Sequence, residues 1–121
     1  MSVFTSIPES QVLHRGKYFF LIYDRYPVSD GHILIISNTE KVDYFALNEA
    51  EKQELSSLIE QAKIRIEKER KPDGYNIGMN CGETAGQTVM HFHCHVIPRY
   101  KGDMQDPRGG VRHCIEGKGY Y

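Results

Sequence analysis

The sequence predicts an α+β fold, an antiparallel sheet covered on one side by a single long helix. Four short segments with strand composition or strand alternation predict the sheet: Lys17–Asp24, His32–Ser37, Tyr75–Cys81 and Met90–Pro98. Between the second and third lies one stripe of apolar residues at helical spacing, which predicts the helix. With 121 residues the chain suffices for one domain and one core. The formal charge of −1 gives no strong pull toward nucleic acid or a membrane surface.

Each element has its own justification. The first ten residues, MSVFTSIPES, have neither a basic start nor a long apolar stretch, so no signal peptide is expected. Lys17–Asp24 (KYFFLIYD) is aromatic and β-branched and reads as a strand. Pro27 and the Asp30-Gly31 pair then supply turn chemistry before a second strand at His32–Ser37 (HILIIS). Their apolar runs, Tyr18–Tyr23 and Ile33–Ile36, are far too short to span a bilayer.

Asn48 and Glu51 have capping-box spacing at the start of the helix. Leu55, Leu58, Ile59, Ala62 and Ile66 form its apolar stripe, and a stripe of this kind packs a helix on a sheet. Lys68, Arg70 and Lys71 are expected in its last turn, with Pro72 and Gly74 ending it. Tyr75–Cys81 is the third strand candidate, followed by the small polar loop GETAG and the strand Met90–Pro98. Beyond Arg99 the chain turns loop-like. Cys81, Cys94 and Cys114 form no CxxC pair, which points to a reducing cytoplasm and to small buried hydrophobes, not a disulfide framework.

The last strand carries the chemistry. His91, His93 and His95 alternate, so their rings share one face while Phe92, Cys94 and Val96 take the other. Three readings are open. A metal site needs convergent ligands, yet His91 and His95 attach roughly 13 Å apart on a straight strand. Zinc requires each nitrogen at about 2.0–2.1 Å, so at most two of the three could share an ion, completed by His32 or a carboxylate. A purely structural reading must satisfy several buried ring nitrogens with nothing in return. The third reading is nucleophilic catalysis, because a neutral imidazole can attack phosphorus or carbon and its neighbours can orient it. The preceding loop, Gly82–Thr88, offers small residues and N–H and hydroxyl donors suited to phosphate oxygens. His14 and His113 read as surface or tail residues.

The segment Ala85–Arg99 (AGQTVMHFHCHVIPR) resembles the signature of the histidine triad (HIT) superfamily, with its HφHφHφφ pattern, φ being apolar. Asp24, Pro27, Gly31 and His32 fit that family's strand–loop–strand element, and the likeness extends over about residues 3–100. It implies a five-stranded antiparallel sheet with one long and one short helix, the sheet continuing across a homodimer. Residues 1–100 would form the domain core, and 101–121 a tail packed on the same domain or on its dimer partner.

The resemblance also implies a nucleotide hydrolase that cleaves purine nucleotides at the α-phosphate through a nucleotidyl-histidine intermediate. Diadenosine polyphosphates or nucleoside phosphoramidates would be its substrates. His93 would be the nucleophile, His95 the phosphate contact, and His91 and His32 the supports. Asp24 would bind the ribose, Ile22 and Leu34 (with Phe4 a weaker candidate) the base, and Asn80, Gln87 and Thr88 the phosphate side. No metal ligand and no required cofactor are implied, although Mg2+ could accompany a polyphosphate. Neither nucleic acid nor membrane is an expected partner.

The tail segment Asp106–Arg112 resembles the branch that contains bacterial diadenosine polyphosphate hydrolases and fragile histidine triad proteins, with Glu116 standing where proline is expected. Its Arg108 and Arg112 are candidates for distal phosphates or for plain solvated charge. The alternatives within the resemblance are a nucleotidyltransferase or phosphorylase, and a non-catalytic nucleotide-binding dimer.

Overall fold

A computed structural model describes residues 2–121. Its five strands are β1 (His14–Arg15), β2 (Phe19–Tyr23), β3 (Ile33–Ser37), β4 (Gly74–Gly78) and β5 (His93–Arg99). They form one antiparallel sheet in the order β1-β2-β3-β5-β4. β5, last in sequence, therefore lies between β3 and β4, and this places the histidines in the interior of the sheet. Leu34 stands opposite His95, and Ile36 opposite His93.

β2 and β3 are apolar along almost their whole length, Ser37 excepted, because both of their faces are covered. On one face Phe19, Leu21, Ile33, Ile35, Cys94 and Val96 pack against helix α1 (Glu49–Glu67). The helix meets them with Leu55, Leu58, Ala62 and Ile66, each buried side chain of leucine size contributing about 1.5–3 kcal/mol. On the other face Phe20, Ile22, Leu34 and Ile36 are covered by Phe4, Ile7 and Val12 of the N-terminal segment. His93 and His95 share this second face, away from the helix.

Asn48 caps α1 as its spacing predicts. Its side chain accepts the Glu51 N–H at 2.9 Å, and the Glu51 carboxylate accepts the Asn48 N–H at 2.8 Å. Glu54 reaches from the helix to the β1–β2 turn, where it accepts the N–H groups of Lys17, Tyr18 and Phe19. Among the described residues no helix is long and apolar enough to cross a membrane.

Four details differ from the sequence expectations. The helix ends at Glu67, so Arg70 is not a last-turn cation. It crosses to the β2–β3 connection, where its guanidinium lies over the Tyr23 ring and 3.2 Å from Asp30. The histidine strand begins at His93, not Met90, because Phe92 leaves the ladder to exchange backbone bonds with Lys41 and Ser37. β4 stops at Gly78, short of the expected Cys81. Only Cys94 is fully buried; Cys81 is half-buried and Cys114 exposed. The remaining short elements are single turns of 3-10 helix, among them Val3–Ser6 and Glu83–Ala85.

Candidate active site

A cavity of about 480 Å³ opens on the sheet face that carries the histidines. Its apolar wall is Ile22 and Leu34 from the sheet with Phe4 and Ile7 from the N-terminal segment. Its polar side is Asp24, Thr88, His93 and His95. One compartment thus pairs a flat apolar slot with a carboxylate and two imidazoles. That combination suits a ligand with an aromatic end and an anionic end.

The proton on each imidazole follows from its partners. His93 Nδ1 lies 2.9 Å from the His91 carbonyl, which can only accept, so Nδ1 carries the hydrogen. The lone pair of neutral His93 is then on Nε2. Val28 N–H donates to His32 Nδ1 at 3.2 Å, which puts the proton of His32 on its Nε2. That Nε2–H donates to His95 Nδ1 at 2.9 Å. His95 is left with its own hydrogen on Nε2, as a donor without a protein acceptor among the described residues. Burial pushes the His95 ring down to about 4, helped by the neighbouring His93 and His32 rings and opposed by Asp24. His32 is lowered by burial too, again against Asp24. Both rings are therefore neutral at pH 7, and these tautomers hold there.

His91 is different in kind. It is 1% exposed, and both its nitrogens are taken. Nε2 donates to the Ser37 carbonyl at 2.7 Å, and Nδ1 accepts from the Ser2 hydroxyl at 2.5 Å. It has no lone pair to offer a ligand. Its place is under the strand, where its backbone carbonyl fixes His93.

Asp24 is clasped at the end of β2. Its Oδ1 accepts the Tyr26 N–H at 2.9 Å, and its backbone N–H bonds the His32 carbonyl. Oδ2 is left 3.5 Å from His32 Nε2. Gly31 lets the chain turn into β3 with a φ of +94°, and a Cβ there would fall 2.7 Å from the Arg70 Cδ. Arg70, Ser29 (hydroxyl to the Pro98 carbonyl) and Tyr100 (hydroxyl to the Asp30 carbonyl) pin the rest of this connection.

The loop before β5 is braced by Gln87. Its Oε1 accepts the Gly82 N–H at 2.8 Å, and its Nε2 donates to the carbonyls of Val42 and Val89. The amide that the family likeness puts on the phosphate side is thus bonded to backbone and 2% exposed. Thr88 lines the cavity, whereas Asn80 is exposed near Gly86 and does not. Arg108 pairs with Asp106, and Arg112 lies over the Tyr121 ring at 4.5 Å; neither lines the cavity.

Asp24, His32 and His95 hold ligand-type atoms within 4.8 Å of one another, a cluster with only one of the three alternating histidines and so not the pair of them that the spacing leaves open for a metal. The donor set does not fit. A metal at this point needs a lone pair on His32 Nε2, and the neutral ring would then carry its hydrogen on Nδ1, against the Val28 N–H. Sequence reasoning did not single out Ser2, Ser37 and Val28. Each acts through a backbone group or a single hydroxyl, which leaves no pattern in composition. Arg25 and Tyr26 on the cavity rim adjoin Asp24, and that adjacency was the one available sign.

Residues 6–102 match the HIT domain family. An uncharacterised HIT-like protein of Mycoplasma genitalium is 40% identical over 92 residues, covering 76% of this chain and 65% of its own. The AP-4-A phosphorylase of Mycobacterium tuberculosis is 33% identical over 106 residues, covering 83% and 54% respectively. The bis(5'-adenosyl)-triphosphatase of Saccharomyces cerevisiae is 33% identical over 92 residues, covering 75% and 45%. The chain thus spans less than two thirds of the length of these relatives. A HIT family protein from Bacillus anthracis has a crystal structure that superposes with a TM-score of 0.72 at 35% identity, over 77% of this chain and 66% of that one.

Proposed function

This chain belongs to the HIT domain family, and from that premise we propose that it is a nucleotide hydrolase acting at the α-phosphate of purine nucleotides. The supporting observation is the state of His93. Its Nδ1–H is held by the His91 carbonyl, leaving an Nε2 lone pair in a ring that lines the cavity. Nε2 attacks the α-phosphorus, the bond to the leaving group breaks with its electron pair, and a nucleotidyl–His93 adduct forms. Water then adds to the same phosphorus and releases the nucleoside monophosphate.

His95 donates its Nε2–H to a phosphate oxygen, where charge builds up in the transition state. His32 keeps that hydrogen on the correct nitrogen, and His91 supports the strand from below. Asp24 accepts from the ribose hydroxyls, Ile22, Leu34 and Phe4 sandwich the base, and Thr88 hydrogen-bonds the leaving group. Gln87 serves the phosphate side by shaping the loop, and Asn80 reaches it only if the loop closes. Diadenosine polyphosphates and nucleoside phosphoramidates are the substrate classes, with Mg2+ accompanying a polyphosphate where one is bound. The enzyme works in the cytoplasm as a homodimer, its partner's sheet adding at the open edge of β4.

A second reading is favoured by the name of the mycobacterial relative, a phosphorylase. There inorganic phosphate takes the place of water and the product is a nucleoside diphosphate. Incubation of diadenosine tetraphosphate with labelled phosphate separates the two: unlabelled AMP supports hydrolysis, and labelled ADP supports phosphorolysis. Binding without either product would overturn both and leave a non-catalytic nucleotide-binding protein.

A further inference from the structure

In nucleotide hydrolysis Asp24 has one task, acceptance of the ribose hydroxyls. The geometry points to a second: Asp24 is a positioning residue that controls His95 through His32, and so couples sugar recognition to the phosphate donor. It rests on the nucleotide reading of the cavity.

Asp24 Oδ2 lies 3.5 Å from His32 Nε2, and His32 Nε2 lies 2.9 Å from His95 Nδ1. One N–H therefore stands between two acceptors, the nearer being the imidazole and the farther the carboxylate. The Val28 N–H on His32 Nδ1 prevents His32 from reversing its tautomer to escape the choice. Whatever draws on the Asp24 carboxylate changes how firmly His32 holds the far nitrogen of His95. Ribose hydroxyls donating to Oδ2 occupy the competing acceptor and commit the His32 N–H to His95. His95 then keeps its own hydrogen on Nε2, facing the phosphate, most firmly while a sugar is seated.

The charges around His95 leave this role to Asp24. His93 on its own strand and His32, just before β3, are the other titratable groups facing it, and both disfavour a positive ring. β4 presents Gly78 opposite His95, with no side chain, and α1 lies on the other face of the sheet. Asp24 alone supplies negative charge, and its effect on both His32 and His95 is upward. Its side chain is 15% exposed, so the interaction is only partly screened.

Asp24→Asn tests the assignment. Oδ1 can still accept the Tyr26 N–H, so the turn is kept, but an amide N–H now faces the His32 N–H, donor against donor. Nitrogen-15 NMR of the imidazoles at pH 7, without nucleotide, reads the tautomers directly. Both proteins should show hydrogen on Nε2 of His32; the wild type should also show some exchange between the ring nitrogens of His95, and the variant, its competing acceptor gone, Nε2–H alone. Unchanged ring nitrogens in the variant would overturn the proposal. Turnover gives an independent reading with a 2′,3′-dideoxy analogue of diadenosine tetraphosphate, which has no sugar hydroxyls to lose. A positioning role raises kcat for this substrate in the variant by up to about tenfold, one unit of coupling, because no carboxylate then draws the His32 N–H from His95. Equal kcat for both proteins means that Asp24 only holds ribose.

Should the variant not fold, the wild type still decides. Adenosine should sharpen the His95 ring resonances into the single tautomer, while 2′,3′-dideoxyadenosine should not; identical responses to the two overturn the coupling. A protein that turns over no nucleotide refutes the hydrolase reading, and the ligand-free NMR comparison is unaffected by that result.

Discussion

His32 Nε2 sits 2.9 Å from His95 Nδ1, and with the Val28 N–H on the opposite side of the His32 ring that contact can run in only one direction. A backbone amide in an exposed turn thus determines which nitrogen of His95 carries hydrogen. His95 works as a neutral donor in consequence, and the site has no need of an imidazolium at rest.

The nucleophile is the first test. His93→Ala removes the only imidazole lone pair that the described residues direct into the cavity, while the base and ribose walls stay in place. Turnover should fall by about a thousandfold or more, as when a covalent nucleophile is lost, with nucleotide affinity nearly unchanged. Rapid-quench mass spectrometry on the wild type should find a nucleotidyl adduct on residue 93.

Acid should weaken the fold through His95. Its ring titrates at about 4 when folded, against an ordinary value of 6.5, so the unfolded chain takes up the proton first as pH falls. This contribution to stability is complete above about pH 6.5 and is lost progressively as pH falls to about 4; with solvent screening of the half-buried ring it amounts to about 1–3 kcal/mol. His32 shifts in the same direction. Chemical denaturation at a series of pH values should show the decline, and His95→Gln should flatten it.

Binding of an anionic nucleotide should reverse part of that shift, because negative phosphate favours the charged ring. Between about pH 4 and 6.5 nucleotide binding should therefore take up protons. Calorimetry in buffers of differing ionisation enthalpy reads the uptake, and it should vanish in His95→Gln.

Gln87→Ala strips the loop before β5 of three hydrogen bonds and leaves the Gly82 N–H and the Val42 and Val89 carbonyls without their partner. The expected cost is about 1–3 kcal/mol, and hydrogen exchange should rise across residues 82–89. KM should rise more than kcat falls, since the nucleophile is held elsewhere.

Gly31→Ala asks whether the turn into β3 is part of the site. The residue has a φ of +94° and its missing side chain would meet Arg70. Strain of about 1–2 kcal/mol is expected from the backbone alone, before Arg70 is displaced. Because His32 follows directly, kcat should drop with stability, whereas Arg70→Ala in the same background should relieve the steric part.

The histidine face, the helix stripe and its cap were legible in the sequence because each rests on a period or a fixed spacing: two for the strand, 3.6 for the helix, three for Asn48 and Glu51. β1 was not legible, since His14 and Arg15 are too few to establish a period and are exposed. The division of labour within the triad was hidden too. Alternation puts the three rings on one side but does not reveal that Phe92 breaks from the ladder, leaving His91 buried between Ser2 and Ser37. The family resemblance puts Gln87 on the phosphate side, and only geometry shows its amide committed to three backbone groups. Arg70 reads as a helix-end cation by position, yet a helix one turn shorter sends it to Asp30 and Tyr23.

The N-terminal segment that covers the second face of the sheet has a consequence for assembly. Ser2 bonds a histidine 89 positions further along the chain, and Phe4 rests edge-on against His93 at 5.0 Å between ring centres. Phe4, Ile7 and Val12 can settle on β2 and β3 once those strands pair, but Ser2 and Phe4 gain their histidine partners only when β5 is inserted beside β3. Maturation of the pocket is therefore a late event in folding, timed by the arrival of β5 and not by the formation of the apolar wall beside it.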